Sequence, residues 1–324
     1  MVPPEDQNAA TDMQVESPSD RDADRVVVLN PISGDGEHGP RVRELADQYG
    51  YAVRETENEG DGIDIAREAA DHADRVVACG GDGTYNHVVR GLWQADALPE
   101  VEFGVVPGGT GNNFANNVGI EGIEDAFEVL AEGPVRSIDL GTVTVDDGEP
   151  IPFLNSCICG LTADASAETT PEQKKQYGVL AYAANSLRQL AAYDGLDISI
   201  EPVEGGDGWS GSAALVLFGN ARGFPGDEGA AADVEDGLLD VTVIEKRPAI
   251  DLVSGGALFE LFGRDPASLS RLRTRHAEVT VESDEAATFS LDGEMVAARE
   301  LTVETREQLL RLPVGQSYVA RTDG

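Results

Sequence analysis

The stretch "VVACGGDGTYNHVV" (residues 76–89) decides how the first part of this chain folds. A β-branched apolar run reads as a strand and stops at Cys79; a polar, helix-compatible stretch begins near Tyr85. Between them lie Gly80, Gly81, Asp82, Gly83 and Thr84, a loop with little side-chain bulk, one carboxylate and one hydroxyl. Such a loop lets a ligand approach the backbone, and the carboxylate suits a cation.

The same rhythm repeats on both sides. Strand-like runs at 25–30, 51–56, 74–81 and 101–109 alternate with helix-like runs at 40–50, 62–73, 85–95, 112–119 and 123–133. In the second helical run, Ile63, Ala66, Ala69 and Ala70 recur at helical spacing. Alternation with short glycine loops predicts an α/β domain with a doubly wound parallel sheet over 25–140, which a segment at about 303–320 could complete. Over 141–302 short strands dominate, at 152–160, 196–204, 212–221, 238–245, 276–283 and 287–294, with further runs at 301–305 and 309–314. They predict a β-rich, sandwich-like second domain carrying helices at 177–193 and 249–264. Residues 1–24 are acidic and lack an apolar core, so they read as a disordered tail and not as a signal peptide.

Charge is the unusual bulk property. The chain of 324 residues carries 60 Asp and Glu against 23 Lys and Arg, a formal −37, and Lys174, Lys175 and Lys246 are its three lysines. The excess runs through strands and helices alike, which points to a surface adapted to a very salty cytoplasm and argues against a nucleic-acid partner. Cys79, Cys157 and Cys159 form neither an even framework nor a C-x-x-C pair, so reduced thiols in a cytoplasmic protein are expected. His38, His72, His87 and His276 are scattered, which reads as four unrelated surface or core histidines and gives no zinc signature. No apolar run approaches a membrane span.

Three glycine loops, "NPISGDG" (30–36), "GGDGT" (80–84) and "PGGTGNN" (107–113), each follow a strand of the first domain. In an open α/β sheet the carboxyl ends of strands are where backbone N–H groups and helix N-termini meet anions, so the three together predict a phosphate site. Walker spacing is absent.

With "NPISG" (30–34), "GGDGTYN" (80–86), "FGVVPGGTGNNFA" (103–115), "NSCICGLTADA" (155–165), "VEDGLLDV" (234–241) and "LDGE" (291–294) in this order, the chain resembles the diacylglycerol kinase catalytic family. That group comprises soluble lipid kinases like bacterial diacylglycerol kinases and sphingosine kinases, whose fold is akin to that of NAD kinase. The resemblance implies an ATP-dependent lipid kinase using Mg²⁺, with nucleotide bound by the first domain and lipid by the second. It assigns nucleotide binding to Asn30, Pro31, Ile32, Ser33, Gly34, Thr56, Gly80, Gly81, Asp82, Gly83, Thr84, Tyr85, Asn86 and Thr110. It makes Asp82 the residue that binds or positions Mg²⁺ and Glu294 the general base for the acceptor hydroxyl. Asp236, with the carbonyls of Asp233 and Leu238, matches a site for a second, structural Mg²⁺.

Two departures are visible. Asn113 stands where the family usually carries Asp, leaving Asp139 as the candidate to supply a carboxylate, and "GFPGDEGA" (223–230) differs from the family's glycine-rich run near the acceptor cleft. The alternatives are an NAD kinase-like enzyme and a catalytically weak nucleotide- or lipid-binding module. For a lipid kinase, contact with the inner membrane face is expected to be peripheral and apolar. Residues 255–263 are the candidate contact, against a buried helix as the plainer use of that stretch. A homodimer is left open.

Overall fold

The computed structural model describes residues 23–160, 193–221, 233–246 and 269–319. The segment 223–230, the helix expected at 249–264 with its apolar stretch 255–263, and residues 1–22 of the tail lie outside the described residues, as does all but Tyr193 of the helix expected at 177–193.

The first domain is built on four strands, β1 (Arg25–Leu29), β2 (Ala52–Glu55), β3 (Arg75–Gly80) and β4 (Glu102–Pro107). All pair in parallel, in the order β2-β1-β3-β4. Val26, Val27, Val28 and Leu29 are all fully buried, as expected for an unbroken apolar strand covered on both faces. The covers are α1 (Gly39–Tyr49), α2 (Asp61–Ala69), α3 (Asp82–Gln94), α4 (Asn113–Asn117) and α5 (Ile123–Glu132). Rings of Tyr49 and Tyr51 meet Phe127 of α5 at 5.6 and 6.0 Å, which joins α1 and α5. Helices α2 and α3 pack so closely that a Cβ on Gly91 would stand 2.3 Å from the Ile63 carbonyl oxygen. The doubly wound parallel sheet is thus as expected. Its order places β1, β3 and β4 side by side, so the three glycine loops that follow them are neighbours in space.

The second domain is antiparallel. Its strands are β5 (Val135–Val145), β6 (Ile151–Phe153), β7 (Ser156–Gly160), β8 (Leu196–Pro202), β9 (Trp209–Gly219), β10 (Leu239–Glu245), β11 (Leu269–Thr274), β12 (His276–Val281), β13 (Ala287–Leu291), β14 (Glu294–Ala298) and β15 (Glu300–Pro313). The long β9 is shared: Trp209–Ala213 pairs with β8, and the following half lies between β7 and β10. Val279 and Val303 on one side of this junction and Phe218, Phe289 and Val241 on the other bury into one core, the sandwich.

The runs at 301–305 and 309–314, expected as separate strands, form the single strand β15. Its register against β5 shifts between Arg306 and Leu310, where Gln308 takes φ 49°. Beyond that bulge Leu310, Leu312 and Val314 join Ile138 and Leu140 in the core of the first domain. The β5–β15 ribbon therefore threads both cores and fixes one domain against the other.

Candidate active site

At the carboxyl ends of β1, β3 and β4 the three loops are bonded to one another. Asn30 Nδ2 donates to Thr84 Oγ1 at 3.2 Å, and Ser33 Oγ lies 3.0 Å from the carbonyl oxygens of both Asn30 and Gly108. Buried His38 adds its Nε2, 3.1 Å from the Asn30 carbonyl oxygen. Glycine is required by contact: a Cβ on Gly109 would stand 2.4 Å from Gly81 Cα, and one on Gly34, at φ +61°, 2.6 Å from the Gly108 carbonyl oxygen. Thr56, at the end of β2, donates its N–H to the Leu29 carbonyl at 2.9 Å. Thr110 and Ile32 are exposed at the surface of this cluster.

Several residues expected to contact nucleotide also bond within the chain. Tyr85 is fully buried with its hydroxyl 3.3 Å from the Val106 carbonyl, and Asn86 points at the second domain, donating to the Pro152 carbonyl at 3.2 Å. The hydroxyls of Ser33 and Thr84 hold loop to loop.

Asp82 opens α3 with Gly81 as its N-cap. Its carboxylate accepts from Asn113 N (3.1 Å), Asn113 Nδ2 (3.2 Å), Phe114 N (3.0 Å) and Asn155 Nδ2 (3.4 Å). The negative charge thus caps α4 of the third loop and reaches the second domain. Asn113, standing where a carboxylate was expected, is one of its donors.

Four residues further along, α3 meets the β13–β14 hairpin. The turn is Asp292-Gly293, with φ +52° and +106°, the geometry of a two-residue Asp-Gly turn. The Asp292 carboxyl accepts from Leu154 N (2.6 Å), Asn155 N (3.0 Å), Ser156 N (2.9 Å) and Asn86 Nδ2 (3.2 Å). Burial pushes it up to about 6, although all these donors pull the other way. Glu294, the first residue after the turn, stays about 40% exposed; its Oε1 is 3.1 Å from His87 Nε2 and its Oε2 is 3.8 Å from Arg90 Nη1.

Residues 24–143 match the model of the diacylglycerol kinase catalytic domain, and residues 156–314 match that of the YegS C-terminal NAD kinase beta sandwich-like domain. The chain is 33% identical over 280 residues to a Stenotrophomonas maltophilia protein named "Probable lipid kinase YegS-like", covering 81% of this chain and 87% of that one. To the Bacillus subtilis protein named diacylglycerol kinase it is 30% identical over 278 residues, covering 83% and 88%. The chain belongs to the diacylglycerol kinase catalytic family. The fold agrees: a crystal structure of a diacylglycerol kinase from Bacillus anthracis superposes with TM-score 0.65 at 17% identity, over 92% of this chain and 99% of that one.

Around the proposed second metal site, the carboxylate side chains bond within the chain. Asp233 Oδ1 accepts from Glu235 N at 3.0 Å and Asp236 Oδ1 from Leu238 N at 2.9 Å, while Asp236 Oδ2 is ion-paired with Arg273. Burial first, and then the neighbouring Asp233, push the Asp236 carboxyl upward; the cation at hand is the Arg273 guanidinium, which also bonds Asp240 at 2.9 Å. Among the described residues no three His, Cys, Asp or Glu side chains gather as a metal site. Asp139 is placed differently from the expectation. Its two oxygens accept from Gly237 N (2.7 Å) and Gln308 N (2.8 Å), so it anchors the 233–238 loop to the β15 bulge and does not stand in beside Asn113.

His87, Arg90, Asn155 and Asp292 are the residues that sequence reasoning missed. Only their position beside "GGDGT", "LDGE" and "NSCICG" pointed to them, and their partners lie up to 207 residues away.

Proposed function

We propose that this chain is an ATP-dependent lipid kinase that moves the γ-phosphoryl group to a hydroxyl of a diacylglycerol-like or isoprenoid lipid, with Mg²⁺. The observation that carries this is α3 itself, which starts at Asp82 over the glycine loops and carries His87 and Arg90 to Glu294 of the second domain. A phosphate-binding loop and a carboxylate are thereby held by one rigid element.

The loops would take the phosphates on backbone N–H groups, including those of the first turn of α3, which a helix leaves without internal partners. Mg²⁺, when bound, neutralises charge on the transferring phosphoryl group. The donor set fits an ion held through water and phosphate oxygens: one carboxylate, Asp82, whose neighbour Asn155 has a buried Oδ1 with no partner among the described residues. Glu294 accepts the hydroxyl proton as the lipid oxygen attacks phosphorus, so the acceptor enters between the domains. Among the described residues no helix is long and apolar enough to cross a membrane, in keeping with peripheral access to lipid.

The deciding assay incubates the full chain in molar KCl with labelled ATP and Mg²⁺. The acceptors are detergent-dispersed diacylglycerol, an isoprenoid glycerol or polyprenol, and NAD as the competing acceptor. Label in a lipid product is expected. Label in NAD alone would replace this function with that of an NAD kinase, and hydrolysis or binding without any transfer would leave a nucleotide- or lipid-binding module.

A further inference from the structure

Glu294 is the residue asked to remove a proton, and it sits at the mouth of a two-residue turn with nothing of its own hairpin to fix its side chain. Its partners come from the other domain. His87 and Arg90 lie three residues apart on α3, hence on the same face, and reach separate oxygens of the carboxylate. A carboxylate only accepts, so the 3.1 Å contact is an Nε2–H of His87 donating to Oε1. Arg90 stands off at 3.8 Å from Oε2, close enough to attract and too far for a hydrogen bond. Neither partner is a loose surface side chain: His87 and Arg90 are 18% and 23% exposed, against 40% for Glu294.

The anchoring continues up the helix. Asn86 is tied to Asp292 of the same turn and Asp82 to Asn155, so Asp82, Asn86, His87 and Arg90 form one stripe of α3 turned to the second domain. We propose that His87, assisted by Arg90, is the positioning residue for Glu294: it fixes Oε1 and leaves the other face of the carboxylate open to the acceptor hydroxyl. A base held by a bond from the helix that begins at the phosphate loop is placed relative to the phosphoryl group before the lipid arrives. This inference rests on Glu294 being the base.

The test is a double-mutant cycle in single-turnover phosphorylation of detergent-dispersed diacylglycerol by the full chain, with the KM for ATP measured alongside. His87→Phe should lower the transfer rate about tenfold and leave the KM for ATP unchanged, since only aim is lost. His87→Gln, which retains an N–H at the same reach, should recover to within about threefold of the parent. Arg90→Gln should cost less than His87→Phe. In a Glu294→Gln background, His87→Phe should add nothing, because the residue through which it acts is gone.

A His87→Phe rate equal to the parent's, or the same tenfold loss with and without Glu294, overturns the positioning role while leaving the base assignment intact. A Glu294→Gln variant with near-normal rate removes the base assignment and this inference with it. Should His87→Phe fail to fold by its melting curve, the Gln variants still decide: a loss in His87→Gln as large as that in Glu294→Gln would sink the proposal.

Discussion

Asn86 Nδ2 on α3 donates to Asp292 Oδ2 on the β13–β14 turn across 3.2 Å, linking residues 206 apart in sequence. Three backbone N–H groups of residues 154–156 converge on the same carboxyl. Asp292 is therefore the knot at which the helix, the β6–β7 connection and the turn bearing Glu294 meet.

That knot has a pH signature. Burial holds the Asp292 carboxyl near 6 in the folded chain, above an ordinary Asp at about 3.9 when unfolded. A group whose folded value is raised stabilises fully below the unfolded value, and that contribution is lost as pH climbs through the folded one. The melting temperature of the parent minus that of Asp292→Asn should then shrink between about pH 4 and pH 6 and level off above. Taking the difference cancels the many other carboxylates. A difference that widens over this window would mean that the four donors outweigh burial.

Much of the fold was legible because its signals are local. Runs such as Val26–Leu29, buried on both faces, and Ile63, Ala66 and Ala69 on one face of α2 announce strand and helix within a few residues. Continuity in β15 was hidden by its polar middle, Arg306 to Gln308, which the bulge turns toward Asp139. Strand β11 went unread because Arg271 and Arg273 break its apolar alternation, Arg273 being spent on Asp236 and Asp240. At the site, the loops were legible from glycine and the partners were not. Nothing near His87 tells of Glu294, since only the packing of α3 on the hairpin brings them together.

Asp82→Asn should cost both stability and turnover. The carboxylate accepts four N–H donors, and an amide in its place presents one nitrogen to groups that are themselves donors. The melting temperature should fall by several degrees along with the collapse of phosphoryl transfer. If the variant melts like the parent and only turnover is lost, the role of Asp82 is confined to ion and phosphate, and the bonds to α4 and Asn155 carry little stability.

Salt should govern folding. With a formal charge of −37, self-repulsion opposes the compact state in dilute buffer, and at about 1 M salt the Debye length falls to about 3 Å. Ion pairs such as Arg41–Glu124 and Arg43–Glu55 are exposed and add little to oppose that repulsion. The melting temperature should rise steeply from dilute buffer to molar KCl. A flat profile would show that the acidic surface is tolerated without salt.

Gly83 offers the sharpest separation of fold from ligand. Four other glycines of these loops are explained by contact within the chain: Gly80 by Thr84, Gly81 and Gly109 by each other, Gly34 by Gly108. Gly83 is exposed in the first turn of α3, and a Cβ there would meet nothing within 4 Å. Alanine favours helix over glycine, so Gly83→Ala should hold or raise stability, by about 0.5 kcal/mol. If phosphate oxygens come to rest on the N–H groups at the start of α3, the added methyl stands in their path, and ATP affinity should fall about tenfold or more despite the firmer fold. Calorimetry of ATP binding beside a melting curve measures both. A variant more stable than the parent that binds ATP equally well would place the phosphates elsewhere on the three loops.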